Sequence, residues 1–299
     1  MASAGSDFLR VLYQDWSSRL ASNQDITIPD LRALFDEWEK PTFEPEDVSY
    51  KSDSIGGIDG IWAYPEGSDK SKVMIYTHGG GFVVGSSASH RKLAGHIAKA
   101  MGVSAFVADY RRAPEHPFPA QLEDAVSVYR ALTRSGIKPE NISTAGDSAG
   151  GNLAVASVLK LRDLNLSLPG AVIALSPWLD MELAGSTLAS NAATDALVSR
   201  SVLEGMRGMF LGGNVKPDNP HANPLKNNFA GFPPLYITAG SVETLLDDAV
   251  RLNDLAKVAG VNTTLSIVAG MQHVFPFLAG RAPEADEQIA KIGAWYKAL

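Results

Sequence analysis

The sequence predicts an α/β fold, with a mostly parallel central sheet and helices on both faces. Short apolar runs of strand character alternate with longer runs of helical apolar spacing, the pattern of a parallel sheet built from crossover units. The length of 299 residues is long for one core but usual for a single α/β domain that carries a small insertion. At 45% hydrophobic and 20% charged residues, the composition is that of an ordinary globular protein.

Taken in order, residues 6–39 place Phe8, Leu9, Leu12, Trp16 and Leu20, then Leu31, Leu34 and Phe35, at helical spacing, which predicts two short amphipathic helices. Pro41 and Pro45 break that pattern. Val48–Tyr50 and Ile58–Tyr64 are expected as a pair of early strands. Further strands are expected at Val73–Thr77, Ala105–Tyr110, Ile142–Ala145, Ala171–Leu175, Pro234–Thr238 and Thr264–Val268. Helical patterns at Arg91–Met101, Leu122–Ser135, Asn152–Leu161 and Leu245–Ala259 fill most of the intervals, and a last helix is expected near Glu287–Lys297. The rhythm is interrupted from about Met181 to Phe232, where helix-like Leu197–Leu211 precedes the loop-forming run Gly212–Pro224. The expected organisation is therefore N-terminal cap helices over 1–45 and a main domain over 46–299. That domain is interrupted by a cap insertion at about 181–232, which the N-terminal helices join in space.

The formal net charge of -7 leaves no basic surplus to attract phosphate, so neither nucleic acid nor an anionic membrane is the expected partner. The absence of cysteine removes disulfides, thiolate nucleophiles and Cys-ligated metals together. Met1 to Asp15 shows no basic stretch followed by an apolar run, and no stretch reaches the roughly 18 uninterrupted apolar residues of a spanning helix. A soluble, cytoplasmic protein is the expectation.

Gly146-Asp147-Ser148-Ala149-Gly150-Gly151 is the strongest local signal. A G-x-S-x-G string alone is weak evidence, but this one lies between an expected strand and an expected helix. A serine on such a sharp turn projects its hydroxyl above the sheet, and the flanking glycines remove side chains that would clash. The competing reading is a glycine-rich turn whose serine caps the helix. The second signal is His78-Gly79-Gly80-Gly81-Phe82, directly after the strand Val73–Thr77. Consecutive glycines leave backbone N–H groups unscreened, which suits an oxyanion. A phosphate-cradling loop is the alternative there, but neither G-x-G-x-x-G nor G-x-x-x-x-G-K-[ST] is present.

His78–Phe82, Tyr110-Arg111-Arg112-Ala113-Pro114-Glu115, Gly146–Gly151 and Ser176-Pro177-Trp178-Leu179-Asp180 together resemble the bacterial branch of the hormone-sensitive-lipase-like esterases. The resemblance spans roughly residues 70–299. It implies the α/β-hydrolase fold with a helical cap and a carboxylesterase acting on short- to medium-chain acyl esters. It also implies an oxyanion hole made by the N–H groups of Gly80, Gly81 and Ala149, with Gly79 shaping the loop. Ser148 would be the nucleophile, and it needs a base to take its proton. Among six histidines, His273 lies where this fold puts its base, in the loop after the last strand. Its context, Gly270-Met271-Gln272-His273-Val274-Phe275, resembles the family motif with Val274 in place of the usual glycine. His90, His96, His116 and His221 lie on helices or in loops away from the expected site and read as solvated or structural, and His78 is expected to brace backbone.

The chain order Ser, acid, His limits the third member to residues 149–272. Matching the family pattern to Gly240–Asp248 aligns Glu243 with the catalytic acid, where relatives usually carry Asp. Asp247, and more remotely Asp180, remain alternatives. No metal and no cofactor is required, and the expected partner is a small-molecule ester, with a homodimer left open. A lactonase or amidase using the same triad is a rival reading, as is a non-catalytic small-molecule receptor on this scaffold, which would lack a triad member. Apolar walls for an acyl chain are expected from Leu197, Val202, Met206, Met209, Phe210 and Leu211, with Trp16 and Leu20 from the N-terminus. Each of these could equally pin the cap to the body.

Overall fold

A computed structural model describes residues 3–23 and 25–299. Eight strands form one sheet in the order β1-β2-β4-β3-β5-β6-β7-β8. β1 (Val48–Ile55) and β2 (Ile58–Pro65) are a hairpin, closed by Gly56-Gly57 between paired Ile55 and Ile58. β2 runs antiparallel to β4 (Val103–Ala108), and from there every pairing is parallel, through β3 (Asp69–Thr77), β5 (Ile142–Asp147), β6 (Ala171–Leu175), β7 (Leu235–Gly240) and β8 (Thr263–Val268). β4, β5, β6 and β7 are buried at every residue, which explains why apolar and small residues predominate in them without a regular polar alternation. β3 differs at its start, where Asp69–Lys72 project into solvent as a polar extension that the apolar pattern did not contain.

α3 (Ser87–Met101) and α9 (Pro283–Lys297) cover one face of the sheet; α4 (Ala120–Arg134), α5 (Ala149–Asp163) and α8 (Leu246–Val258) cover the other. α3 opens earlier than its apolar spacing suggests because Ser86 and Ser89 form a reciprocal capping box.

α1 (Asp7–Ser22) and α2 (Ile28–Phe35) deliver an aromatic cluster to the first face. Trp16 meets Phe35 and Trp38 edge-on at 5.2 and 5.4 Å, and Trp38 stacks on Phe277 at 5.8 Å. Each such pair adds about 0.5–1.5 kcal/mol beyond the area it buries. The N-terminal helices are thereby seated beside the loop that follows β8.

The β6–β7 connection holds α6 (Thr187–Ser190) and α7 (Arg200–Leu211). α7 is anchored by Phe210, which is buried, stacks on Phe82 at 3.7 Å and meets Phe118 edge-on at 5.5 Å. Among the described residues no helix is long and apolar enough to cross a membrane.

Candidate active site

The glycine-flanked serine sits on a sharp turn. β5 ends at Asp147, α5 begins at Ala149, and Ser148 between them has φ 53° and ψ −119°. Positive φ costs an ordinary residue energy that the surroundings must supply. Here the Ser148 N–H donates to the Leu175 carbonyl at 2.9 Å, and its own carbonyl accepts from the Trp178 N–H at 3.0 Å. The need for glycine is plainest at Gly150, where a Cβ would stand 1.9 Å from the Thr77 carbonyl oxygen. The serine side chain makes no capping hydrogen bond to α5, so the helix-cap reading of this turn does not hold.

The second glycine run leaves β3 and folds back on itself. The N–H groups of Val83 and Val84 both donate to the Gly80 carbonyl, at 3.0 and 2.9 Å, in a turn that needs φ of 108° at Gly80 and 60° at Gly81. Among the described residues the N–H groups of Gly80 and Gly81 have no acceptor. Ala149 is the first residue of α5, where N–H groups lack intrahelical partners. The Gly79 N–H donates to Asp147 Oδ1 at 3.1 Å, so the loop is tied directly to the serine turn. His78 braces this arrangement: its ring stacks on Tyr110 at 4.2 Å, and its carbonyl accepts the Tyr110 hydroxyl at 2.7 Å. Burial and the neighbouring His90 push its pKa down to about 4, which keeps it neutral near pH 7.

His273 follows β8, and Glu243 follows β7. Both are buried, and His273 Nδ1 lies 3.3 Å from Glu243 Oε2. An ionised Glu243 can only accept, so in the neutral ring Nδ1 carries the hydrogen and Nε2 keeps its lone pair. Burial alone would push the imidazole pKa down. The hydrogen bond and charge of Glu243, with Asp195 and Asp147 adding, outweigh burial and raise it above the ordinary value. For Glu243, burial dominates and raises the carboxyl, while the His273 contact opposes it. The other two candidate acids are engaged elsewhere. Asp247 pairs with Arg251 Nε at 2.7 Å and accepts the Ser186 hydroxyl at 2.9 Å. Asp180 holds Arg251 Nη2 at 2.8 Å and Asn223 Nδ2 at 3.1 Å.

Val274 stands where a glycine would be easiest. It takes φ 51° and ψ 45°, and its N–H donates to Ser176 Oγ at 3.0 Å. The left-handed backbone is kept despite the β-branched side chain, at a cost of about 1–3 kcal/mol.

Ser148, His273, Gly80 and Gly81 line one small, largely apolar pocket of about 50 Å³. Leu197, Val202 and Met206 contribute walls to it as expected, joined by Val198 and Leu203 and, on the other side, by Phe35, Trp38, Val84 and Trp178. Met209, Phe210, Leu211, Trp16 and Leu20 do not line it. Phe210 pins α7 to Phe82, and Trp16 packs into the N-terminal aromatic cluster.

Two features escaped the sequence. Tyr13 on α1 donates its hydroxyl to the His273 carbonyl at 3.1 Å, across 260 positions of chain. His90, expected away from the site, is fully buried with Nε2 3.5 Å from Asp147 Oδ2, directly beneath the serine turn. The expected helix begins at Arg91, just after His90, and its pattern carries no sign of what His90 faces.

The chain matches a family model described as the alpha/beta hydrolase fold over residues 74–277. It is 37% identical over 244 residues to an acetyl-hydrolase of Streptomyces hygroscopicus, covering 82% of this chain and 81% of that one. It is 34% identical over 229 residues to an esterase of Acinetobacter venetianus, covering 77% and 76%. A crystal structure of an esterase from the bacterial hormone-sensitive lipase family superposes with a TM-score of 0.94 at 37% identity, over 100% of this chain and 99% of the other.

Proposed function

The chain belongs to the α/β-hydrolase fold family, among the bacterial hormone-sensitive-lipase-like esterases, and on that premise we propose that it hydrolyses short- to medium-chain acyl esters through a Ser148–His273–Glu243 triad. The observation that carries this reading is the meeting, in one apolar pocket, of a serine that caps no helix, a histidine paired with a buried carboxyl, and two glycine N–H groups without an acceptor among the described residues.

In this mechanism His273 Nε2 takes the Ser148 hydroxyl proton as Oγ attacks the ester carbonyl carbon. The negative charge that develops on the carbonyl oxygen is met by the N–H groups of Gly80, Gly81 and Ala149, each such donor contributing about 2.7–4 kcal/mol to the transition state. Glu243 holds the imidazole in the required tautomer and stabilises its charged form. The alkoxide leaves with the proton from His273, and the acyl group stays on Ser148. Water, deprotonated by the same histidine, then releases the carboxylic acid. A cytoplasmic setting and a small ester as partner belong to the same reading, and the acidic charge balance speaks against nucleic acid or an anionic membrane as partner.

Side-by-side rates on linear p-nitrophenyl esters, lactones and anilides test the reading. Linear esters should be turned over best, and a preference for lactones or anilides would move the assignment to lactonase or amidase. The base must be neutral to work, and a raised His273 pKa keeps its proton to higher pH. kcat/KM is therefore expected to rise through an apparent pKa above the ordinary imidazole value of about 6.5, and to fall off on the acidic side of it. A pH–rate profile checks this.

The pocket also sets acyl length. Each methylene buried is worth about 0.8 kcal/mol, a factor near four in kcat/KM, until the space is full. Activity should rise over short chains and collapse for long ones. Met206 packs over Gly81, so Met206→Ala should move the optimum toward longer chains. Phe210→Ala should leave the optimum in place and destabilise the fold by about 3–5 kcal/mol, read as a loss of Tm. Efficient turnover of long-chain triglyceride emulsions by the unmodified enzyme would contradict this account.

A further inference from the structure

The β6–β7 connection crosses over both the Glu243 loop and the His273 loop before it forms α7, and hydrogen bonds stitch the crossing at each step. Asn191 Nδ2 donates to the carbonyls of Ser241 and Glu243, at 3.2 and 2.9 Å. Thr194 Oγ1 donates to the Val242 carbonyl at 3.0 Å. On the His273 side, Gln272 Nε2 donates to the Thr194 carbonyl and Oε1 accepts the Ala196 N–H, both at 2.9 Å.

Asp195 is the centre of this seam. Its Oδ1 accepts the N–H groups of Leu197 and Val198, at 3.0 and 2.8 Å, and both of those residues line the pocket. Its Oδ2 accepts the N–H and the hydroxyl of Thr244, at 2.7 and 3.0 Å, and Thr244 directly follows Glu243. One carboxylate thus divides four bonds equally between the substrate wall and the acid loop.

We propose that Asp195 is a positioning residue that holds Glu243 against His273 and registers the pocket wall to the same point. The proposal rests on the reading of Glu243 and His273 as acid and base. Three of the four groups around Asp195 are N–H donors spread over both of its oxygens, which suits a side chain with two accepting oxygens; the fourth, the Thr244 hydroxyl, also lies 3.3 Å from the Val198 carbonyl. An asparagine of the same size would turn its Nδ2 toward at least one N–H donor and lose the charge. The charged groups facing the imidazole are Glu243 from the acid loop, Asp195 from the connection and Asp147 from the end of β5, and all three favour its protonated form. From α1, the Tyr13 hydroxyl meets only the His273 carbonyl, and Ser176, beyond β6, meets the N–H of Val274.

The test is the pH dependence of kcat and KM on p-nitrophenyl butyrate for the intact enzyme and for Asp195→Asn, with Glu243→Gln measured alongside. A positioning role predicts a kcat lower by about ten- to a hundredfold. It also predicts that the acidic limb moves down by about half a pH unit or more, because one negative charge facing the imidazole is gone. If Asp195 only shaped the turn before α7, KM and chain-length preference would change while kcat and the acidic limb stayed in place, and that result overturns the proposal. Should Asp195→Asn fail to fold, Thr244→Val removes the hydroxyl bond to Asp195, together with that hydroxyl's longer contact to the Val198 carbonyl. A drop in kcat with KM unchanged then supports the role, and an unchanged kcat overturns it. The underlying triad fails separately: it falls if Glu243→Gln keeps full kcat, whereas loss of activity in Glu243→Gln with none in Asp195→Asn sinks the positioning role alone.

Discussion

Replacing Ser148 with alanine is expected to lower kcat on short p-nitrophenyl esters by about 10⁵- to 10⁶-fold while leaving the fold intact. The loss is large because no other group in the pocket is proposed to form the covalent intermediate. What remains would be the stabilisation that unpaired N–H groups give to direct attack by water. The fold should be spared for a local reason. The Ser148 side chain makes no capping bond, and the turn is held by backbone bonds to Leu175 and Trp178 that alanine keeps. The unfolding free energy should therefore change by no more than about 0.5 kcal/mol. Circular dichroism melts beside the kinetics check both halves, and a folded Ser148→Ala protein with ordinary turnover would remove Ser148 from the mechanism.

Exchanging Glu243 for glutamine should cost about 10⁴-fold in kcat, the size of effect seen when the matching serine-protease acid becomes an amide. The change keeps volume but removes the charge that supports the imidazolium, in a site where water cannot compensate because Glu243 and His273 are both buried. The amide can also hold the ring in the wrong tautomer. Asp247→Asn should do far less, since Asp247 faces Arg251 and Ser186. Kinetics of the two variants decide between them. A reversed pattern would mean that the acid had been aligned one helical turn too early.

The sheet was legible because buried parallel strands leave a plain mark, and the interior strands β4 to β7 are mostly apolar or small for the reason that both faces are covered. The serine turn and the Gly80–Gly81 loop were legible because close backbone approaches exclude side chains, so their glycines are written into the chain at fixed offsets. Contacts between distant segments left no such mark. Periodicity places Phe210 among the apolar positions of its helix and is silent on what it touches, so Phe210 could not be told from a pocket wall, and Tyr13, outside the apolar spacing read for 6–39, gave no sign of its bond to the His273 carbonyl. The start of α7 was misjudged for a related reason. Leu197 continues the apolar spacing of the helix, but the Asp195 side chain takes the N–H groups of Leu197 and Val198 and holds both outside it, where they face the pocket.

The central claim is that Ser148 carries the acyl group, and it can be met head-on. Intact protein is treated with a serine-directed phosphonate, digested, and mapped by mass spectrometry, with Ser148→Ala as control. One adduct per chain on the peptide holding Ser148, formed in step with loss of esterase activity and absent from the control, is the expected result. Stoichiometric labelling of a different serine, or full inactivation with Ser148 unmodified, would contradict it.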